Sequence, residues 1–496
     1  MSINSVGANT RLAVQSLVDM RRQFGDLQRQ LGTGQKSETY AGLGLGRGVS
    51  VGLRSQLSAI SAFSDTITNV GMRIDLQQSA LGRIAKLSDE IKGAALKSTT
   101  MTNEEGIFVQ KGATNALGEI VGLLNTRAGE RYLFSGRATD QPAVANVNAI
   151  LDGVAGQDGL RQVIDERRLA DLGSDGRGRL VVSTPAATTV ALAEDAAGSP
   201  YGFKISGISS NTAAIIVSGP SGSPAGVTID VAANPTPGSE VEIALTLPDG
   251  TVETVKLTAT ASQTPGPGEF TIGATAADTA ASLQAALGSS LGALADTALT
   301  AASAMAAGND FFASDPPLRV DGPPFETATA AVADTAGRTV KWYTGEDSSD
   351  PARASATARI DNSVTISYGA RADEDALRRT LQNVAVLAAV SFSADDPNAT
   401  TRSVALNSRA GAALGASSAS GSIASIQAEL AGAQTSIAAA KERHQQTGSM
   451  VSEMLAGIEG VTTEETAVKL LALQTRLQAS LQTTSMLYQI NLVNML

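Results

Sequence analysis

Residues 6–31 read VGANTRLAVQSLVDMRRQFGDLQRQL, and within them Val6, Thr10, Ala13, Leu17, Met20, Phe24, Leu27 and Leu31 recur in steps of four and three. On a helix that spacing draws one narrow apolar seam, the pattern of a helix that lies along a partner. A second ladder of the same period runs near the other end, through Ile423, Ile426, Leu430, Ala433, Ile437, Ala440, His444, Thr447, Val451, Met454 and Ile458. Neither seam can bury itself alone. The simplest arrangement packs the two ends of the chain antiparallel on each other and on the ends of neighbouring copies.

The same period predicts three more helices. From Leu53 to Lys97 a ladder passes through Ile60, Phe63, Ile67, Val70, Ile74, Leu81, Ile84, Ile91 and Ala95, with Gln77 and Ser88 as polar steps that fix register. A shorter ladder runs through Ile107, Thr114, Leu117, Val121 and Leu124, and a last one through Leu470, Leu473, Leu477, Leu481, Tyr488 and Leu492. Thr102 with Glu105, and Thr462 with Glu465, have the spacing of capping boxes at the starts of these last two helices. Between the first two helices lies a glycine-dense stretch from Gly32 to Gly52. Its Gly42-Leu43-Gly44-Leu45-Gly46 looks like a dinucleotide loop, but no strand precedes it, so a flexible connector is the better reading.

From Asp140 to Gly369 the period changes. Arg179–Leu192, Phe203–Val217, Val227–Val231, Arg338–Tyr343 and Ser363–Tyr368 read as short strands. Val241 to Leu247 and Thr251 to Thr258 alternate on either side of Pro248-Asp249-Gly250, which predicts a β-hairpin. Alanine-rich helices are expected at Ala274–Leu287 and Ala298–Phe312, and another helix at Asp373–Phe392. The chain therefore divides into a helical segment at 1–139, one or two small β-rich outer domains at 140–371, and a second helical segment at 372–496. The fold class is mainly α with a β insert: a long antiparallel coiled-coil rod built from the terminal helices, with the β domains projecting from it.

Composition removes several function classes. With 37 Lys and Arg against 48 Asp and Glu, the net charge of -11 disfavours nucleic acid, whose binding depends on basic patches. There is no cysteine and one histidine, so thiolate chemistry, disulfides and multi-histidine metal sites are absent, and no cofactor is expected. His444 lies on an apolar seam and reads as a satisfied interface residue. Asp395-Asp396-Pro397 reads as a turn and not as a carboxylate pair. Asp19, Arg21 and Arg22 read as solvated charge, and Trp342 as core. Catalytic residues are not expected. The first residues lack the basic and apolar regions of a cleaved signal, and Val384–Val390 is too short to span a membrane.

Two helical ends around a variable β-rich middle, without cysteine, resemble the flagellin family, over about residues 1–140 and 372–496. Leu31-Gly32-Thr33-Gly34-Gln35-Lys36 resembles the turn that follows the family's first helix, although Tyr40-Ala41-Gly42 departs from the usual continuation. Gly129-Glu130-Arg131-Tyr132-Leu133-Phe134-Ser135-Gly136-Arg137, with Thr139 and Pro142, is similar to a segment typical of the hook–filament junction branch; Ala143 stands where a Phe is usual. The ending from Leu477 to Leu496 also resembles that branch. The resemblance implies a structural subunit of the extracellular bacterial flagellum that joins hook to filament, with filament flagellin as the alternative and a surface adhesin a more distant one. It implies export through the flagellar type III channel with a chaperone, and partners that are further copies and neighbouring axial proteins. Subunit-interface residues are then expected at Leu17, Met20, Phe24, Leu27, Leu31, Ile426, Leu430, Ile437, Leu473, Leu477, Leu481, Tyr488 and Leu492.

Overall fold

A computed structural model describes residues 3–97, 103–393, 396–416 and 421–493. The chain forms two compact units: Met1–Gly71, Ala358–Ile366 and Gln434–Leu496 make unit 1, and Met72–Thr357 with Ser367–Ala433 make unit 2. The helices are α1 (Ile3–Thr33), α2 (Arg47–Lys97), α3 (Asn103–Leu124), α4 (Val147–Asp152), α5 (Leu160–Leu172), α6 (Ala276–Leu294), α7 (Thr300–Phe312), α8 (Asp375–Ala389), α9 (Ala399–Gly415), α10 (Ile423–Glu459) and α11 (Thr463–Val493). Helices α2 and α10 contribute to both units. The architecture is mainly α, with long helices at both ends and a small β-rich middle.

In unit 1 the helices pair antiparallel. α1 packs on α11. The connector after α1 lies on the turn before α11: Lys36 N donates to Glu459 O at 2.7 Å, and Val461 N to Gly34 O at 3.0 Å. α2 pairs with α10 in the same sense. Gly46 sits beside Ile458, Arg54 bonds Glu459, Gly448 lies against Ile60, and Phe63 stacks on His444. Numbers rise on one helix as they fall on the other. Inside unit 2 the same pairing continues, with Gln78 Nε2 donating to Gln427 O at 2.7 Å.

Unit 2 holds two four-stranded sheets. One has the order β3-β4-β7-β6 (Leu180–Ala186, Thr189–Glu194, Gly226–Val231 and Ile215–Ser221), and the other β10-β9-β8-β5 (Glu269–Thr271, Val252–Thr260, Glu240–Thr246 and Lys204–Ser210). A two-residue pair, β1 (Arg127–Ala128) with β2 (Arg131–Tyr132), precedes them. The predicted hairpin is β8–β9: Val241 faces Leu257 and Ile243 faces Val255, and Gly250 adopts φ 81° in the turn. Val241, Ile243, Leu245, Val255 and Leu257 point inward to a core that Leu283, Leu287 and Leu291 of α6 complete. At the start of α6, Thr275 and Asp278 bond each other's backbone in a capping box.

The middle departs from the sequence expectation in two places. α4 and α5 are helices inside the stretch expected to be β-rich. α5 escapes a periodicity reading because Glu166, Arg167 and Asp171, all charged, sit on its buried side. Arg338–Tyr343 is not a strand but makes isolated bridges, Thr339 to Asp158 and Tyr343 to Val144. Trp342 is buried there as expected and donates Nε1–H to Phe312 O at 3.0 Å. Thr365–Ser367 is a strand. The ladder from Ile423 forms α10, and α9, which no ladder predicts, precedes it. Asp395 lies outside the described residues, while Asp396 accepts from Arg402 at 2.6 Å. The capping pair Thr102–Glu105 also lies outside the described side chains, and Glu465 binds Lys469 at 2.6 Å instead of capping α11.

Candidate assembly surface

The ladders decide which face of each terminal helix is covered. On α1, Ala13, Leu17, Met20, Phe24 and Leu27 are half-buried and the residues between them are exposed. The seam then slips by one residue: Gln30 is half-buried and Leu31 is exposed. On α11, Thr466 and Leu473 are buried, and Leu470, Leu477, Ser480 and Thr484 half-buried. Leu481 is 55% exposed, 60° round the helix from that line. Tyr488 and Leu492 fall within α11, but their side chains lie outside the described residues. The α10 ladder is covered more fully: Ile426, Leu430, Ala433, Ile437, Ala440, His444 and Val451 are all buried. Only its end differs, where Met454 is exposed and Leu455 takes its place. Ile426, Leu430, Ile437 and Leu473 are thus covered inside their own chain. Leu17, Met20, Phe24, Leu27 and Leu477 keep part of their surface open.

The polar steps in the seams are satisfied. His444 is buried in unit 1, and its Nε2 bonds Ile360 O at 2.8 Å while its ring stacks on Phe63 with centroids 5.6 Å apart. A carbonyl only accepts, so Nε2 carries the proton in this contact. The residue is a structural pin, as its place on the seam predicts. Gln77, in unit 2, donates Nε2–H to Leu133 O at 3.1 Å.

One node was not foreseen. The turn between α10 and α11 is clamped by groups from the first fifty-four residues. Arg54 grips both Glu459 oxygens, at 2.9 and 2.6 Å, and the Ser50 hydroxyl donates to the same carboxylate. The Arg54 guanidinium first, then that hydroxyl, holds the Glu459 carboxyl down to about 2. Lys36 Nζ donates to Gly457 O at 3.2 Å and Ile458 O at 2.9 Å, capping the last carbonyls of α10, where the helix dipole favours a cation. Lys36 and Arg54 lie far from Glu459 in sequence, and only the paired helices bring them together.

Beyond the seams, unit 1 stays apolar on the outside. Leu12, Val14 and Val18 of α1 and Val468, Leu471 and Met486 of α11 are each between 44% and 69% exposed. Val468, Leu471 and Met486 lie on the side of α11 opposite its seam. A helix that is apolar on two sides requires cover on two sides, and the chain supplies one. Charge is divided as well. Unit 1 carries 12 Lys and Arg against 10 Asp and Glu, leaving 25 against 38 in unit 2, so unit 2 holds all of the net negative charge.

Unit 2 has charged clusters, but they are closed. Arg167 bonds Asp171 at 2.9 Å and Asp310 at 2.7 Å and lies over the Tyr201 ring, while burial pushes both carboxyls up. Arg319 binds Glu166 and Asp158. A cavity of about 340 Å³ is lined by Arg161, Arg168 and Arg402, each already facing a carboxylate: Asp152, Asp165 and Asp396. Among the described residues no three His, Asp or Glu side chains are placed to hold a metal ion, and no helix is long and apolar enough to cross a membrane.

The segment singled out around Gly129 folds as a turn. Gly129 takes φ 65° between β1 and β2, Leu133, Phe134 and Ser135 are buried, and Arg137 binds Glu346 at 2.9 Å and Asp350 at 3.0 Å. Residues 4–139 match the family model of the bacterial flagellin N-terminal helical region, a segment that takes in α1, α2, α3 and this turn. The chain is thus similar to that family over this N-terminal segment. No curated protein matches the chain.

Proposed function

We propose that the chain is a structural subunit of the bacterial flagellum that sits at the hook–filament junction and assembles through unit 1. One observation carries the reading. Helices of unit 1 meet each other along one face and leave a second apolar face uncovered, which in water costs roughly 1.5–3 kcal/mol for each large aliphatic side chain that could be buried. Further copies and neighbouring axial proteins supply that cover. The match over residues 4–139 supports the flagellar setting, and the segment from Gly129 to Arg137 together with the C-terminal ending favours the junction over the filament. The residues offered to partners are the half-exposed Leu17, Met20, Phe24, Leu27 and Leu477, the exposed Leu31 and Leu481, and Tyr488 and Leu492 beyond them. In this reading the protein is exported through the flagellar type III channel, with a chaperone shielding the C-terminal stripe, and works outside the cell without catalysis or cofactor.

Immunogold labelling of intact flagella tests the placement. A narrow band of label where hook meets filament is the expected result. Label along the whole filament would make the chain a filament flagellin, and absence of label from flagella would overturn the subunit reading itself.

A further inference from the structure

The loop between α1 and α2 is built to display one leucine. A side chain on Gly42 would strike Ser37 Oγ at 2.1 Å, and one on Gly46 would press on Ile458 Cγ2 at 3.0 Å. Gly44 turns the chain at φ 55° and ψ -123°, a conformation suited to glycine. The loop is therefore folded tightly on itself and meets α10 at Gly46, yet Leu45 beside that contact is 104% exposed. Two residues on, Arg47 is exposed and has no ion-pair partner among the described residues. A held, fully exposed leucine beside an unpaired cation is one half of a contact.

The other half has matching chemistry. On α11, Glu464, Val468 and Leu471 stand at i, i+4 and i+7, on the side away from the α1 seam. Val468 is 66% and Leu471 61% exposed. Glu464 has no ion-pair partner among the described residues, whereas its neighbour Glu465 is bound to Lys469. We infer that Leu45 and Arg47 of one copy dock on the Val468–Leu471 patch and Glu464 of a second copy. Two different surfaces meet in this contact, so it is heterologous, the kind that propagates from copy to copy. Unit 1, being near neutral, adds little repulsion of its own between copies, and Arg47 and Glu464 set the register. The inference rests on the reading that copies associate through unit 1, and adds which residues make the joint.

The chain has no cysteine, so introduced thiols are the only ones present. Full-length Leu45→Cys and Val468→Cys species, differently tagged, are produced together and oxidised, and mixed disulfide dimers are measured on gels. Mixed dimers are expected, well above those formed by Leu45→Cys with Ile216→Cys, a control thiol on an exposed site of unit 2. In the same background Arg47→Glu or Glu464→Lys alone should lower the yield about fivefold, and the two together should restore it to within about twofold, as a reversed ion pair requires. Yield no higher than the Ile216 control, or a double reversal no better than either single change, overturns the joint. If removal of residues 479–496 still abolishes association in that case, the subunit reading stands without it. If full-length copies do not associate at all, both fall.

Discussion

Replacing His444 with alanine tests how the long helices of unit 1 are held together. The ring is 5% exposed, its Nε2–H donates to Ile360 O at 2.8 Å, and its face lies against Phe63 with an interplanar angle of 10°. Ile360 is fully buried, so its carbonyl loses this donor where water cannot replace it, a penalty of about 1–3 kcal/mol. Truncating the ring also leaves a void beside Phe63, which at about 24 cal/mol per Å³ adds about 1–2 kcal/mol. His444→Ala should therefore destabilise unit 1 by about 2–5 kcal/mol. His444→Leu refills most of the void but still strands the carbonyl, so it should cost about 1–3 kcal/mol and less than alanine. The assay is urea unfolding of the full chain followed by far-ultraviolet circular dichroism, read as a lower midpoint at an unchanged slope. An alanine variant within about 0.5 kcal/mol of the parent, or a leucine variant that is no better than alanine, would refute a buried, bonded pin.

Acid should weaken the Glu459 clamp in unit 1 and relieve one buried carboxylate cluster in unit 2. The Glu459 carboxyl, held near 2 from its usual 4.5, contributes stability that is complete above pH 4.5 and is lost as pH falls toward 2. Asp171 and Asp310 are pushed up by burial, so their penalty is relieved as pH falls through the carboxylate range. Helical circular dichroism should accordingly fall before the fluorescence of Trp342, the single tryptophan, which lies in unit 2; fluorescence changing first would contradict the assignment. Deleting residues 479–496 should abolish incorporation into flagella and leave the Trp342 emission maximum unchanged, and normal incorporation would count against assembly through α11. Association of full-length chains should be only weakly promoted by raising salt from about 10 to 150 mM, because unit 1 has little net charge to screen. A steep rise measured by sedimentation would mean that the acidic units meet instead.

The terminal helices were legible because a heptad seam is a local signal repeated many times. Along α10 every step of the ladder from Ile423 to Val451 is buried or half-buried. At Leu31 and Met454 the departures fall at the ends of seams, where the partner helix is ending or turning and the contact moves along; at Leu481 the covered line runs through Ser480 and Thr484 instead. Sequence does not carry that information, because it depends on where the other helix stops. α5 was missed for a different reason: it buries Glu166, Arg167 and Asp171, and a buried charge looks like surface until its partner from elsewhere in the chain is known. The node at Glu459 was illegible for the same cause, since Lys36, Ser50 and Arg54 lie more than four hundred residues from the turn they hold.

The two units solve the same physical problem in different ways. Unit 2 closes on itself: its sheets share one apolar core with α6, and the arginines of its buried network, Arg167 and Arg319, have carboxylate partners. Its excess of acid then costs nothing in packing and keeps copies of that surface apart. Unit 1 is left incomplete. Making Leu12, Val468 and Leu471 polar would give a more soluble single chain, but it would remove much of the apolar surface that the described parts of α1 and α11 leave uncovered. On the proposed assembly, that surface cannot be covered within the chain, because whatever covers it takes the place of the next copy. Stability within unit 1 must come from elsewhere, and the clamp at Glu459 and the buried pin at His444 contribute it without using the exposed Leu12, Val468 and Leu471.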